Sequence, residues 1–443
     1  MSAVISISKN LYKHKLTKQE NVKEKKTFFC DMKFTDVRQA LMKRKWILKR
    51  ISKNNISFKS KNTNQKEKPI ENKKNRDDEI VDFLWTNYRR VNFEKIQAYQ
   101  YVNHLQGVTE LSIKSNLWSN LSKNDKIRLP FTVVVKNFDA QKKDIFAALS
   151  ITVIDGENNL DANNNSKNNV ADNNTINNNN NNNKLSNTYI IKPVSSSRGR
   201  GIEIVSNLND LESHLKVATE EKPMIIQKYI SNPSLINKFK FDIRLWVLVS
   251  SIDPLRIYTF NEPYARLSNF EFTMSDNNKL IHLTNNSIQN KQDDMLRTAK
   301  SKEKDAKMFS YEELMHYYGD DVWKTIIYKQ MKRQTYLTIN EIVPLLKTTG
   351  KGFELFGFDY MLDDDLNIYL IEVNLDPDQS HSTNVTRNIV PKCINGIIDI
   401  VTNNTNGALK KDDKNENTDV DNSSNNSLSE YWDKLESEDE EEV

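Results

Sequence analysis

Stretches with regularly spaced apolar residues alternate along this chain with long polar stretches. Short runs of β-branched, aliphatic and aromatic residues predict strands at 27–34, 188–194, 201–205, 224–230, 241–251, 255–261 and across 353–377. Apolar residues three or four positions apart predict helices over 35–50, 207–220 and 310–347. The sum predicts an α+β protein with mixed or antiparallel sheets flanked by helices.

Three low-complexity segments divide these elements: 51–77 is rich in Lys and Asn, 155–187 is largely Asn, and 403–430 is rich in Asn, Asp and Ser. Such segments bury too little apolar surface to order themselves. The predicted domain plan follows from them. It comprises a basic disordered arm (1–26), an N-terminal and linker region (27–150, with 51–77 disordered), a disordered insert (155–187), a catalytic domain (188–402) and a disordered acidic tail (403–443).

Charge is distributed unevenly, although the net charge is only +4. Residues 1–76 contain 22 Lys and Arg against 6 Asp and Glu, whereas residues 430–443 contain 8 acidic residues and one Lys. A basic N-terminal segment favours an acidic partner; the alternative is a solvated arm without a partner. The apolar runs are shorter than the roughly 18–20 residues of a membrane helix, no signal-peptide pattern is present, and two cysteines are too few for a disulfide framework. A cytoplasmic protein with two reduced thiols is therefore expected.

The segment IIKPVSSSRGRGI (190–202) carries the first chemical pattern. A strand delivers Lys192 into a loop of small and basic residues, whose backbone N–H groups and positive charges suit phosphate oxygens. The loop lacks the GxxxxGK[ST] pattern of a Walker A motif. A phosphate site and a plain basic hairpin turn both remain open.

An acidic hairpin at 353–374 carries the second pattern. Glu372 and Asn374 are two positions apart and so share a strand face, and a hairpin brings Asp359 beside them. Oxygen ligands of this kind suit Mg²⁺, and unpaired carboxylates among apolar neighbours are costly without a cation. The pattern predicts a magnesium site.

Two weaker patterns lie between these motifs. Lys240, Asp242 and Arg244 alternate along one strand, so their side chains form either a salt-bridge ladder or a ligand-binding face. The polar cluster HLTNNSIQ (282–289) is either a capped turn or part of a site. Patterns of serine hydrolases, zinc enzymes and dinucleotide-binding folds are absent, and the basic arm lacks the interleaved aromatic residues of nucleic-acid binders.

Taken together and in this order, IIKPVSSSRGRGI, IIQKYI, KFDIRLWVLVSS, ARLS, HLTNNSIQ and FELFGFDYML…YLIEVN resemble the tubulin tyrosine ligase-like family, whose members have an ATP-grasp fold. The resemblance is specific over 188–400 and weaker before it. It implies ATP and Mg²⁺ as cofactors.

The resemblance also implies a role for each matching residue. ATP phosphates would be held by Lys192, Ser197, Arg198, Gly199, Arg200, Gly201 and Ile202. Adenine would be bound by Gln227, Lys228, Tyr229 and Ile230. The rest of the nucleotide would contact Lys240, Asp242, His282, Thr284 and Asn285. Catalysis and binding of the incoming amino acid would rest on Lys240, Arg244 and Arg266, and Mg²⁺ on Asp359, Glu372 and Asn374.

The implied reaction activates a protein carboxylate as an acyl-phosphate, which the amine of a free amino acid then attacks. The implied acceptor is the acidic C-terminal tail of tubulin, with glutamate as the expected donor, then glycine, then tyrosine. Alternatives are a ligase acting on another protein or a small molecule, and a catalytically impaired microtubule-binding relative. We expect a monomer on cytoplasmic microtubules, without nucleic-acid or membrane partners; targeting to a cilium or basal body stays open.

One departure from the family pattern follows the acidic hairpin. Many relatives continue with Asn-Pro or Ser-Pro, whereas this chain reads Leu375-Asp376-Pro377-Asp378. The added negative charge would weaken binding of an amino-acid carboxylate or change the donor. The tail ESEDEEEV itself resembles a tubulin tail, which raises the hypothesis of self-modification.

Overall fold

The structure, a computed structural model, describes residues 25–49, 80–154, 174–177, 184–196, 199–285, 288–289, 308–403 and 430–437. The predictions of disorder for 51–77, and for most of the arm, the insert and the tail, lie outside these residues. The described strands form three main sheets and one two-stranded pair.

The strands, in chain order, are β1 (Thr27–Cys30), β2 (Ile47–Leu48), β3 (Phe83–Trp85), β4 (Tyr101–Val102), β5 (Thr132–Val135), β6 (Ile151–Ile154), β7 (Asn174–Asn177), β8 (Lys184–Pro193), β9 (Glu203–Asn207), β10 (Met224–Lys228), β11 (Leu235–Ile236), β12 (Phe239–Ile252), β13 (Leu255–Phe260), β14 (Tyr264–Glu271), β15 (Met308–Phe309), β16 (Lys351–Gly352), β17 (Glu354–Leu362), β18 (Ile368–Leu375) and β19 (Trp432–Leu435). The α-helices are α1 (Thr35–Lys43), α2 (Thr109–Ser112), α3 (Lys114–Leu121), α4 (Phe138–Ala148), α5 (Leu208–Leu215), α6 (Lys279–His282), α7 (Tyr311–Tyr318), α8 (Asp320–Val322), α9 (Tyr328–Ile342) and α10 (Asn384–Asn403). Short 3₁₀ turns lie at Tyr88–Arg90, Phe93–Lys95 and Val343–Leu345, and a π-helical turn at Trp323–Ile327 precedes α9.

The N-terminal sheet is parallel, in the order β16-β4-β3-β1-β2. The predicted helix 35–50 was too long, because α1 ends at Lys43 and Lys45 turns the chain with a φ of 62°. Ile47 and Leu48 then pair with β1 instead of extending the helix. Both side chains are exposed, so their helical spacing did not report a buried helix face.

The small sheet is antiparallel, in the order β5-β10-β8-β9, and α4 and α5 cover one face. Asn137 and Asn207 accept hydrogen bonds from the first-turn N–H groups of these helices, which fixes where each begins. The prediction that 155–187 is a disordered insert is wrong for two segments, because β7 covers Asn174–Asn177 and β8 already starts at Lys184. This sheet forms one wall of the cleft described below.

The central sheet is built on β12, whose 14 residues pair with β14 and β13 along one edge and with β17 along the other. The run FKFDIRLWVLVSSI is buried over most of its length, as expected for a strand covered on both faces. A core of aliphatic and aromatic residues lies between this sheet and α9, and a second core lies between the sheet, α10 and the N-terminal sheet. Within the described ranges, no helix is both long and apolar enough to cross a membrane.

The acidic tail contains a strand that the sequence did not predict. β19 pairs antiparallel with β13 and extends the central sheet. Trp432 is 2% exposed and packs against Phe260, with ring centroids 5.4 Å apart. Gly396 of α10 makes room for it, since a Cβ there would lie 2.5 Å from the indole ring. The prediction that all of 403–443 is disordered is therefore wrong for 432–435.

Candidate functional site

A cleft with about 820 Å³ of empty space, including its open mouth, lies between the small sheet and the central sheet. Most of the residues singled out in the sequence line it, namely Lys192, Gly199, Arg200, Ile202, Gln227, Lys228, Tyr229, Ile230, Lys240, Asp242, His282, Thr284, Asn285, Asp359 and Glu372. Ser197 and Arg198 lie outside the described residues. Gly201, Arg244, Arg266 and Asn374 are not among the lining residues.

Two buried lysines face the cleft from different sheets. The Lys192 Nζ donates to Gln227 Oε1 at 2.7 Å, and the Lys240 Nζ donates to the Tyr229 hydroxyl at 2.5 Å. Burial lowers the pKa of Lys192 to about 8, and burial together with the charge of Lys192 lowers the pKa of Lys240 to about 7. A polyanion between these ammonium groups would offset the desolvation that depresses both values.

Hydrogen bonds determine the protonation of His282. Its Nε2 lies 2.6 Å from the carbonyl oxygen of Asp276 and must donate to it. The Nδ1 of a neutral ring then accepts from the Tyr229 hydroxyl at 2.7 Å, while the hydroxyl oxygen accepts from Lys240. Burial lowers the pKa of His282, which agrees with a neutral ring. The chain of bonds fixes the Lys240 ammonium at the floor of the cleft.

The loop after β8 approaches the cleft through glycines in the left-handed region. Gly199 and Gly201 both have a φ of 69°, which few other residues adopt without strain. Lys114, at the start of α3, donates from Nζ to the Ser196 carbonyl at 2.6 Å and adds a cation beside Lys192. The loop therefore combines close backbone approach with positive charge, as phosphate sites require.

In the segment 227–230, which the resemblance assigns to adenine, two backbone N–H groups are hydrogen-bonded within the protein. The N–H of Lys228 donates to the Phe131 carbonyl at 2.8 Å, and the N–H of Tyr229 donates to the Thr188 carbonyl at 3.0 Å. These two donors are already used within the protein. Recognition of a base edge by this segment would have to use its carbonyls or the N–H of Ile230.

The acidic hairpin has the geometry that its spacing predicted. Asp359 lies directly opposite Glu372 across β17 and β18, and the Asn374 Nδ2 donates to Asp359 Oδ2 at 3.1 Å and to Glu372 Oε1 at 3.3 Å. Burial and the neighbouring Asp359 raise the pKa of the Glu372 carboxyl. Arg244 and Arg266 already neutralise Asp359, so Glu372 is the carboxylate whose charge a divalent cation would compensate. The oxygen-rich pair fits a hard divalent cation, and rotation of the Asn374 amide would present its oxygen as a further ligand.

Arg244 and Arg266 form a buried ionic ladder instead of projecting freely into the cleft. Arg244 donates through Nε and Nη2 to Asp359, and Arg266 donates to both Asp242 and Asp359. Burial alone would raise the pKa of Asp359, but these two guanidinium groups hold it below its usual range. Both interpretations of the alternating strand apply, because Lys240 and Asp242 line the cleft while Arg244 belongs to the ladder.

Sequence reasoning missed two features of this region. Lys114 lies in a polar helix without a motif, and only its position beside the glycine loop reveals it. His104 contacts Glu354 and Asp376, which are 250 and 272 positions away, so no local pattern could indicate it.

Known proteins match this chain over the region that contains the cleft. A family model described as the tubulin-tyrosine ligase family matches residues 91–408. Tubulin glycylase 3C of Tetrahymena thermophila is 35% identical over 228 residues, which are 48% of this chain and 20% of that protein. Tubulin glycylase 3B of Drosophila melanogaster is 36% identical over 49% of this chain and 30% of its own length. The human probable tubulin polyglutamylase TTLL2 is 36% identical over 48% of this chain and 35% of its own length.

This chain thus spans about a third or less of the length of these curated relatives. The family match, in contrast, covers well over half of this chain and includes every described residue of the cleft. The chain belongs to the tubulin-tyrosine ligase family, with an ATP-grasp-like fold.

Proposed function

We propose that this protein is an ATP- and Mg²⁺-dependent ligase that joins a free amino acid to a carboxylate in the acidic tails of tubulin. The observation that carries the proposal is the convergence of Lys192, Lys240 and the Asp359–Glu372 pair on one cleft. Cations for a polyphosphate and oxygen ligands for a divalent ion are the combination that phosphoryl transfer to a carboxylate needs. The names of the relatives, which are tubulin glycylases and polyglutamylases, support tubulin as the acceptor.

The chain's own residues would act by positioning and by charge neutralisation. Lys192 and Lys240 would bind phosphate oxygens, and Lys240 is held in place by Tyr229 and His282. Asp359, Glu372 and Asn374 would hold Mg²⁺, which neutralises phosphate charge when bound. Arg244 donates to both oxygens of Asp359 and Arg266 contacts Oδ2, so this carboxylate stays ionised and is held in one orientation.

The donor amino acid is a finer question, and our expectation from the sequence is glutamate. One observation favours glycine as a second candidate. Tyr264 lies opposite Arg244 across β12 and β14; burial raises the pKa of its phenol, and the carboxylates of Asp359 and Asp378 add to that rise. A negative charge at Asp378 would repel the α-carboxylate of any donor, but glutamate carries a second carboxylate that would also be repelled, so glycine would be disfavoured less.

The deciding experiment incubates the protein with ATP, Mg²⁺ and microtubules, with labelled glutamate, glycine or tyrosine in separate reactions. Transfer of one label to tubulin supports the ligase and names the donor. Label on other proteins in an extract, but not on tubulin, indicates a different acceptor. Microtubule binding without transfer of any label would indicate the impaired relative and refute the proposal.

A variant pair tests the metal ligands. Glu372→Gln removes one carboxylate charge. It should lower ligation by more than the roughly 10- to 100-fold that the loss of one charge-assisted hydrogen bond (about 1.5–3 kcal/mol) causes, because a metal ligand is lost as well. Asp365→Asn, in the exposed turn of the same hairpin, is the matched control and should keep wild-type activity. Near-native turnover by folded Glu372→Gln would contradict the metal assignment.

A further inference from the structure

A buried ionic triad lies outside the cleft and has no role in the mechanism above. The His104 Nδ1 lies 2.9 Å from Glu354 Oε1, and the Nε2 lies 3.4 Å from Asp376 Oδ1. The side chains of His104 and Glu354 are 1% and 0% exposed. Such a fully buried charge needs partners on every side, so the three residues form one unit.

The geometry requires a doubly protonated His104 ring. Its Nδ1 faces a carboxylate oxygen, and its Nε2 faces the Thr86 carbonyl oxygen at 2.8 Å as well as Asp376. Ionised carboxylates and carbonyls only accept hydrogen bonds, so both ring nitrogens donate. The Asn103 Nδ2 also lies 3.1 Å from Nε2, but it donates to the Thr86 carbonyl oxygen at 2.9 Å. Burial alone would lower the pKa of His104, but the charges and hydrogen bonds of Glu354 and Asp376 raise it to about 10.

The triad joins three parts of the fold. His104 follows β4 of the N-terminal sheet, Glu354 opens β17, which carries Asp359, and Asp376 directly follows β18. The second oxygen of Asp376 accepts from the backbone N–H of Tyr88 at 3.2 Å. The backbone of Asp376 has a φ of 48°, a conformation that a non-glycine residue keeps only when its surroundings impose it.

The residues after Asp376 lie against the arginine ladder. A Cβ on Gly357 would meet the Pro377 Cβ at 3.0 Å and the Arg244 Cδ at 3.2 Å, so both side chains lie over this glycine. The negative charge of Asp378 helps to raise the pKa of the Tyr264 phenol, and Tyr264 is opposite Arg244 across β12 and β14. The segment 375–378 therefore forms a wall beside Arg244, and Asp376 is its anchor.

We propose that His104 is a positioning residue that, through Asp376, fixes the segment 375–378 against Arg244. The family resemblance assigns Arg244 to the incoming amino acid, so this segment would shape the pocket for that amino acid. The inference rests on the proposed function, because it concerns the amino-acid side of the same site. His104 touches neither nucleotide nor amino acid and acts only through its hold on this wall.

The test is Asp376→Asn, which keeps the shape of the side chain and removes its charge. Asp376 is 22% exposed, so this variant avoids the buried unpaired Glu354 that His104→Ala would leave. The KM for the amino acid should rise roughly tenfold, since a lost charge-assisted hydrogen bond loosens the wall, while the KM for ATP stays within about twofold. Hydrogen exchange of backbone amides in 374–380 should accelerate, and exchange in β12 should not change.

His104→Gln should reproduce both effects, and adding it to Asp376→Asn should change the amino-acid KM little further, because the two residues act as a unit. The control is Asp399→Asn, which removes the 2.7 Å ion pair with Arg44 between α1 and α10, far from this wall. It should leave both KM values and the exchange of 374–380 as in the wild type.

An Asp376→Asn protein with unchanged exchange and an unchanged amino-acid KM overturns the inference. An equal rise in the KM for ATP and for the amino acid also overturns it, because that result indicates general damage. A wild-type protein that transfers no amino acid refutes the proposed function instead, and the exchange comparison then still decides whether this triad holds the segment.

Discussion

Replacing Trp432 by alanine tests the least expected part of the fold. The indole is 2% exposed, packs on Phe260 and fills the space above Gly396, so truncation removes a large apolar contact and leaves a cavity. Truncations of this kind cost about 3–5 kcal/mol. That is a large share of the roughly 5–15 kcal/mol by which a typical domain is stable.

The assay is equilibrium urea unfolding followed by far-UV circular dichroism, which does not depend on the lost tryptophan. We expect the free energy of unfolding of the central sheet to fall by about 3–5 kcal/mol. Lys434→Ala, at an exposed position of the same strand, is the control and should change the free energy of unfolding by no more than about 0.5 kcal/mol. If Trp432→Ala unfolds at the wild-type urea concentration, β19 is not docked on β13 in solution.

Three further predictions concern the cleft and the triad. ATP binding at pH 8 should take up roughly 1.4 protons, about 0.9 at Lys240 and about 0.5 at Lys192, because phosphates restore the depressed pKa of both lysines. Calorimetry in buffers of different ionisation enthalpy should show a smaller uptake in Lys240→Met. The pKa of His104 is about 10 in the folded protein and near 6.5 in the unfolded chain, so protonated His104 stabilises the folded state fully below pH 6.5. This stabilisation is lost as the pH rises towards 10, by up to about 1.4 kcal/mol per pH unit. Denaturation at several pH values should show this slope in the wild type and not in His104→Gln. Gly199→Ala should weaken nucleotide binding roughly tenfold in a titration, since its Cβ would lie 1.9 Å from Ile288 at a φ of 69°, whereas Gly319→Ala, at a φ of 82° in open space, should not.

The sequence predicted β12, β13, β17 and β18 of the central sheet because their signal is local, whereas β14, with its mixed polar and apolar residues, was not predicted. Runs such as 241–251 are continuously apolar and β-branched, and the spacing of Glu372 and Asn374 fixed their shared face before any tertiary contact was known. The hairpin then brought Asp359 opposite Glu372, as the turn between the strands required. The two-residue repeat of side chains along a strand and the short turn between two strands are enough to bring these three side chains together.

Long-range pairing accounts for the features that the sequence did not predict. β19 consists of four residues in a polar tail, and only the exposed edge of β13 and the gap at Gly396 make it a strand. His104 gains its partners from strands about 250 positions away. The ladder of Arg244 likewise depends on Asp359, since a strand pattern shows that charges share a face but not which partner each one finds.

The direction of β19 limits how the acidic end of the chain could meet its own cleft. Leu435 pairs with Ile257, which pairs with Val249, so the chain runs along β19 away from the end of β12 that carries Lys240 and Asp242. Seven residues of β12 separate Asp242 from Val249, about 23 Å at the rise of a strand, and two strand spacings add about 10 Å sideways. Glu442, seven residues beyond Leu435, reaches about 24 Å at full extension. Because the direct distance is about 25 Å, a glutamate near position 442 could meet the cleft of its own molecule only if the chain after β19 turned straight back at nearly full extension.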